Sequence, residues 1–265
     1  MGPSISIIMS VYNGEDTLRE ALDSILGQST GDWELIVCDD CSSDRSREIL
    51  WEYAARDPRI RPIQNPKNSG LAASLNHCLK YACGKYIARM DSDDISVRER
   101  LEKQKLFMEE HPECDLVGTF MQAFDERGRH NVIESKIQPT KYDLPKGAPF
   151  SHATIMIRAE AMRKLQGYRI SNHTVRTEDV DLWYRFFAAG FRGINLPEPL
   201  YLVRADDAAY KRRKFKYMLH ASYIIWRGCD LVHLPFYYKI YCVKPILSWL
   251  LPRDLKTALR KWVIQ

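Results

Sequence analysis

Asp91-Ser92-Asp93-Asp94 puts three carboxylates within four positions, directly after the apolar run Tyr86-Ile87-Ala88-Arg89-Met90 that reads as a buried strand. Like charges this close resist joint ionisation. A hard divalent cation held through carboxylate oxygens, usually together with substrate phosphates, is the common way to stabilise them. An Asp-rich turn without an ion would carry the same residues. Two more acidic clusters at element ends weigh against that plainer reading: Asp39-Asp40, closing the run 34–38, and Glu178-Asp179 with Asp181, opening a helical pattern.

Short apolar runs alternate with amphipathic helical patterns over the first 110 residues, the signature of βα units and a parallel sheet. Strands are expected over 4–9, 34–38, 60–64 and 86–90. The helices between them carry Leu18, Ala21, Leu22, Ile25 and Leu26, run from an Asp44 cap to Ala55, and span 70–83. The carboxyl ends of parallel strands line the ligand crevice of an open α/β sheet, so residues 10–13, 39–40 and 91–94 should meet in one cleft. A helix over 97–110 follows, then less regular strands over 116–124, 153–157 and 200–203, a half expected to shape a second substrate's site. Val180, Trp183, Tyr184 and Phe187 give the helix after Thr177 a buried face. Its N-terminus, where backbone N–H groups favour an anion, lies at Thr177 or Asp179.

A chain of 265 residues, 45% of them apolar, is long enough for one large α/β domain with an appendage, and neither disordered nor fibrous. No apolar run reaches the ~18 residues of a spanning helix, and Met1-Gly2-Pro3-Ser4 leads straight into the first strand. A cytoplasmic protein is expected, with the inner face of the cell membrane as its one candidate surface. Seven cysteines without framework spacing fit a reducing compartment. Cys38 and Cys41 form a C-x-x-C, but no second pair offers zinc its remaining ligands.

Six stretches together resemble the family 2 inverting glycosyltransferases of GT-A fold, of the bacterial surface-polysaccharide type. They are S-I-I-M-S-V-Y-N at 6–13, L-D-S-I-L-G-Q-S at 22–29, E-L-I-V-C-D-D-C-S-S-D at 34–44, N-S-G-L-A-A-S-L-N at 68–76, G-K-Y-I-A-R-M-D-S-D-D at 84–94 and T-E-D-V-D-L-W-Y-R at 177–185. The resemblance spans roughly residues 4–204 and implies an α/β GT-A domain over 1–205, mainly parallel in its central sheet; a helical C-terminal segment over 206–265 is expected to follow it. It implies that Asp40, with Asp39 beside it, accepts a hydrogen bond from a nucleobase such as uracil, that Ser10 and Tyr12 contact base and ribose, and that Asn68 and Gly70 approach the nucleotide. Asp91 and Asp93 resemble the D-x-D pair, with Asp93 on Mn²⁺ or Mg²⁺ and Asp91 on the ribose or the metal's water shell. Asp179 resembles the catalytic base and Glu178 a group orienting base or acceptor. The implied donor is a UDP-sugar and the acceptor a hydroxyl of a glycan or lipid-linked saccharide. His152 matches a position where relatives carry His, open to an acceptor contact or a structural role. No Q-x-x-R-W is present, which argues against a processive synthase. Residues 203–207 lack the His that relatives place there, and Lys211 to Lys214 offers cations for a diphosphate instead.

Residues 206–265 hold 12 Lys/Arg against four Asp, so all of the +5 excess and more sits there, with 11 of the 29 aromatics. This is the composition of a membrane-surface segment, with residues 236–251 apolar and 253–261 basic and amphipathic. The competing reading packs these helices on the catalytic domain. Nucleic-acid binding is not expected, since nothing sets the aromatics on a stacking platform. Two other functions remain to be weighed: an aspartate-based phosphatase with 91–95 as nucleophile loop, and a non-catalytic, nucleotide-binding membrane adaptor of the same fold.

Overall fold

The computed structural model describes residues 2–205 and 214–250. Cations at 211–213 and the basic stretch 253–261 lie outside the described residues. β1 (Ile5–Val11), β2 (Trp33–Asp39), β3 (Ile60–Gln64) and β4 (Tyr86–Arg89) pair in parallel in the order β3-β2-β1-β4. The helices between them are α1 (Leu18–Leu26), α2 (Ser46–Arg56) and α3 (Leu71–Leu79). β1 and β2 are buried on both faces, as parallel strands covered by helices must be, and so read as near-continuous apolar runs. Ile5, Ile7 and Met9 enter the core under α1 and α2, while Ile8 enters the opposite core with Leu75 and Cys78 of α3. The seven cysteines are free, and Cys38 is a core residue of β2.

The second half extends this sheet in mixed sense. α4 (Arg100–Glu110) leads to β6 (Leu116–Asp125), which pairs antiparallel with β7 (Gly128–Ile133) and β8 (Met156–Arg158) and parallel with the long β9 (Gly193–Arg204). β8 joins this half to β4, and β5 (Ile95–Ser96) hydrogen-bonds β9. The expected strand over 153–157 begins later, because His152–Thr154 forms a 3-10 turn first. α5 (Ala159–Lys164), β5 and β7 escape the periodic reading; β5 and α5 are too short to show a period, and β7 is exposed on every residue.

α6 (Glu178–Ala188) buries Leu182, Trp183, Tyr184 and Phe186, with Val180 and Phe187 only partly covered. α7 (Phe215–Leu231) packs on it so closely that a Cβ at Gly228 would stand 2.4 Å from the Tyr184 ring. Packing on the catalytic domain, one of the two expectations for this segment, holds for its first part. Ile224, Ile225 and Cys229 of α7 share the core of α6, whereas the 3-10 turns Phe236–Val243 and α8 (Lys244–Leu250) bury no residue.

Candidate active site

Strand ends build the cleft. The β1 end supplies Ser10 and the half-exposed Tyr12. Asn13 turns the chain at φ 50° and accepts the Ser43 N–H at 2.8 Å, tying the β1 loop to the β2 loop. Asp40 is buried, yet both its oxygens are used: Asn65 Nδ2 and the Ser69 N–H donate to Oδ1, and the Gly70 N–H donates to Oδ2, each at 2.8 Å. Gly70 reaches that bond at φ 85°, a conformation suited to glycine. Asp40 thus holds the turn that brings Asn68 to the cleft wall. Asp39 lies beneath it, fully buried, accepting the Ser42 N–H, and is not part of the wall.

The acidic loop follows β4 and is pinned by three residues. Thr17 donates to the Ser92 carbonyl, the Asp91 N–H donates to the Tyr201 hydroxyl, and the Arg204 N–H and Nε donate to Asp94 Oδ1 and the Asp93 carbonyl. Gln28, from the stretch 22–29, locks the next segment by donating to the Ser96 and Val97 carbonyls while accepting the Leu101 N–H. Carboxylate oxygens of Asp91, Asp93 and Asp94 come within 4.8 Å of one another. Burial, then the Asp91 and Asp93 charges, pushes Asp94 up to about 8. Asp94 is turned into protein, so the donors left facing the cleft are Asp91 and Asp93. An all-oxygen set of this kind suits Mg²⁺ or Mn²⁺ and not a thiophilic metal.

Arg89 was passed over in the sequence as one polar residue in a strand run. It is 4% exposed, and its guanidinium forks onto both oxygens of Asp91. Burial opposes its charge, but Asp91 together with Tyr201 and Tyr168 outweighs this and the pKa rises. A cation inside a buried strand next to three aspartates was the available signal. Arg100, buried beneath, donates to the Arg89 carbonyl and stacks on Tyr201; burial lowers its pKa to about 10.

Across the cleft stands the N-terminus of α6. Glu178 lines the wall with Ile170, Val175 and Arg176, and Asp179, the less buried of the two, follows it on the helix, accepting the Val180 N–H at 2.8 Å. Both carboxyls are raised above the usual range by burial, and both feel the Arg89 charge. His152 does not reach the wall. Its Nε2 shares a hydrogen bond of 2.8 Å with the Tyr168 hydroxyl beside Trp183, and burial, then Arg89, keeps it neutral. The cleft encloses about 990 Å³, joining Ser10, Tyr12, Asp40, Asn68, Asp91, Asp93 and Glu178.

Residues 6–166 match the sequence profile of Glycosyl transferase family 2. The chain belongs to that family. It is 49% identical to the putative glycosyltransferase EpsE of Bacillus subtilis over 98% of this chain and 94% of that protein. Over 100 residues, 38% of this chain and 39% of the relative, it is 45% identical to WfgD of Escherichia coli, a UDP-Glc:alpha-D-GlcNAc-diphosphoundecaprenol beta-1,3-glucosyltransferase. Among solved structures, TarS residues 1–349 of S. aureus in complex with UDP-GlcNAc superposes with a TM-score of 0.69 at 21% identity, over 88% of this chain and 70% of that one. The fold of this family 2 glycosyltransferase is GT-A.

Proposed function

We propose that the protein is a metal-dependent, inverting glycosyltransferase that moves one sugar from a nucleotide-sugar, most simply a UDP-sugar, to a hydroxyl of a glycan or lipid-linked saccharide in surface polysaccharide synthesis. The observation that carries this reading is a single cleft with an acidic loop on one wall and the α6 carboxylates on the other. A UDP-sugar donor is supported by the names of WfgD and of the TarS complex with UDP-GlcNAc, and a lipid-linked acceptor by the name of WfgD, each a statement about that relative.

In this reading Tyr12 and Ser10 flank the base, and Asp40 reaches it with what acceptor capacity its loop bonds leave, with Asp39 supporting it from below. Asn68 follows the nucleotide. Asp93 and Asp91 would hold the cation, which when bound neutralises charge on the departing diphosphate. Asp179 takes the proton from the acceptor hydroxyl as that oxygen bonds the anomeric carbon. The bond from that carbon to the diphosphate breaks on the opposite face, and its electron pair leaves with the nucleotide. Glu178, at the wall, orients the acceptor. Placement of the acidic loop after the fourth strand of the parallel order, behind three βα units, speaks against a phosphatase nucleophile loop. The adaptor alternative differs in one outcome, nucleotide binding without transfer.

Titration calorimetry of the protein with UDP, with and without Mn²⁺ and repeated on Asp93→Ala, tests the reading. Binding that requires the metal and is lost in the variant is expected. Absence of UDP binding under every condition would overturn the UDP assignment, and binding with no transfer to any acceptor would favour the adaptor.

A further inference from the structure

The exposed apolar surface is concentrated in one place. Of 22 exposed large hydrophobic side chains among the described residues, 12 fall within the 37 residues 214–250. On α7, Phe215, Leu219, Tyr223 and Trp226 recur at the spacing of one helix face, each 40–47% exposed, while Ile224, Ile225 and Cys229 bury the face turned toward α6. α7 therefore has two apolar faces and uses one for packing, which a surface helix of a self-contained domain does not need. The second face is extended at both ends. The Phe215 ring packs on Trp249 of α8 at 5.0 Å, and Trp226 meets Phe236 edge-on at 6.1 Å. Phe236, Tyr237 and Ile240 then stand 68–74% exposed.

Charge decides the partner. Residues 214–250 contain five Lys/Arg and one acidic residue, Asp230, which is paired with Lys239; Lys239 also lies over the Trp226 and Phe236 rings. Tyr and Trp beside Lys and Arg around a branched apolar patch match the chemistry of a lipid interface, apolar below and anionic at the headgroups. No described helix is long and apolar enough to cross a membrane, so the match is to a surface. The stripe also leads to the cleft. Tyr223 packs on His173 at 4.6 Å and His220 bonds the Val175 carbonyl, which fastens α7 to the loop 170–176. That loop contributes Ile170 and Val175, both exposed, to the cleft wall.

We propose that the outer face of α7, the turns Phe236–Val243 and α8 form a docking surface for an anionic lipid bilayer, which sets the cleft mouth at headgroup level. This goes beyond the donor-site reading, and lipid binding can fail while nucleotide binding stands.

Flotation of the full chain with vesicles of phosphatidylglycerol and phosphatidylcholine, against phosphatidylcholine alone, is the test. Binding to the anionic vesicles is expected, falling at least tenfold on raising salt to 0.5 M or on replacing them with neutral ones. The triple variant Phe236→Ser, Tyr237→Ser, Ile240→Ser should lose binding by a similar factor with an unchanged unfolding temperature and unchanged UDP titration. Should the triple variant not fold, Ile240→Ser alone and the charge reversal Arg227→Glu take its place. The proposal is overturned if the wild type stays unbound to anionic vesicles, or if the folded variants bind as well as it does. A lipid-free dimer abolished by the same substitutions would also overturn it, assigning the face to a second copy of the chain.

Discussion

Arg89 is a buried cation that pairs with Asp91 at the end of β4. Its fork fixes Asp91, and its charge acts on Glu178, Asp179 and His152 across the sheet end. Arg89→Lys keeps the charge but loses the planar two-pronged grip. Asp91 would then be free to turn, and Mn²⁺-dependent UDP affinity should fall about 10–100-fold, the usual loss when a supporting contact of a metal ligand is removed. Unchanged affinity in calorimetry would show that the ion pair does not orient Asp91. The α6 carboxylates give a pH prediction. Burial raises both above the ordinary carboxylate range, and a general base works only when ionised, so kcat/KM should rise with pH through a limb displaced upward from that range. Asp179→Asn should abolish that limb and lower kcat by about 10²–10⁴-fold, whereas Glu178→Gln should act mainly on acceptor KM. The reverse pattern would make Glu178, the residue at the wall, the base.

At the scale of elements, strand ends supply chemistry and helices hold them in register. α6 carries two functions in its 11 residues: carboxylates at its N-terminus and, from Leu182 onward, a hydrophobic plug. Its outer side is covered by α7 through the close approach of Gly228 to Tyr184. Gly228→Ala sets a methyl group against that ring and should destabilise by about 1–3 kcal/mol. At about 2–4 °C per kcal/mol for a domain of this size, calorimetry should show a fall in Tm of several degrees. An unchanged Tm would mean that α7 has room to shift on α6. Periodicity was informative where an element is long and one-sided, as for Leu18, Leu22 and Ile25 of α1. It failed for β5, which is two residues long, and for β9, whose first eight residues alternate only partly and include Pro197 and Pro199.

Across the whole molecule, a nucleotide-sized cleft and an aromatic, basic face flank the same loop, 170–176. Sequence alone determined the parallel half of the sheet, since apolar runs buried on both faces need no long-range information to be recognised. It also determined the acidic loop, whose charge density is local, and the family, through six short motifs in order. Which carboxylates face the cleft was decided by tertiary structure. Asp39 and Asp40 are neighbours in the chain, yet the strand end puts Asp40 at the wall and buries Asp39 completely beneath it, while Glu178 reaches the wall from the N-terminus of α6. Arg89 acquires its importance in the same way. A guanidinium in a strand run has no assigned partner until the chain folds around it, and only then does burial let its charge act on Asp91, Glu178 and Asp179.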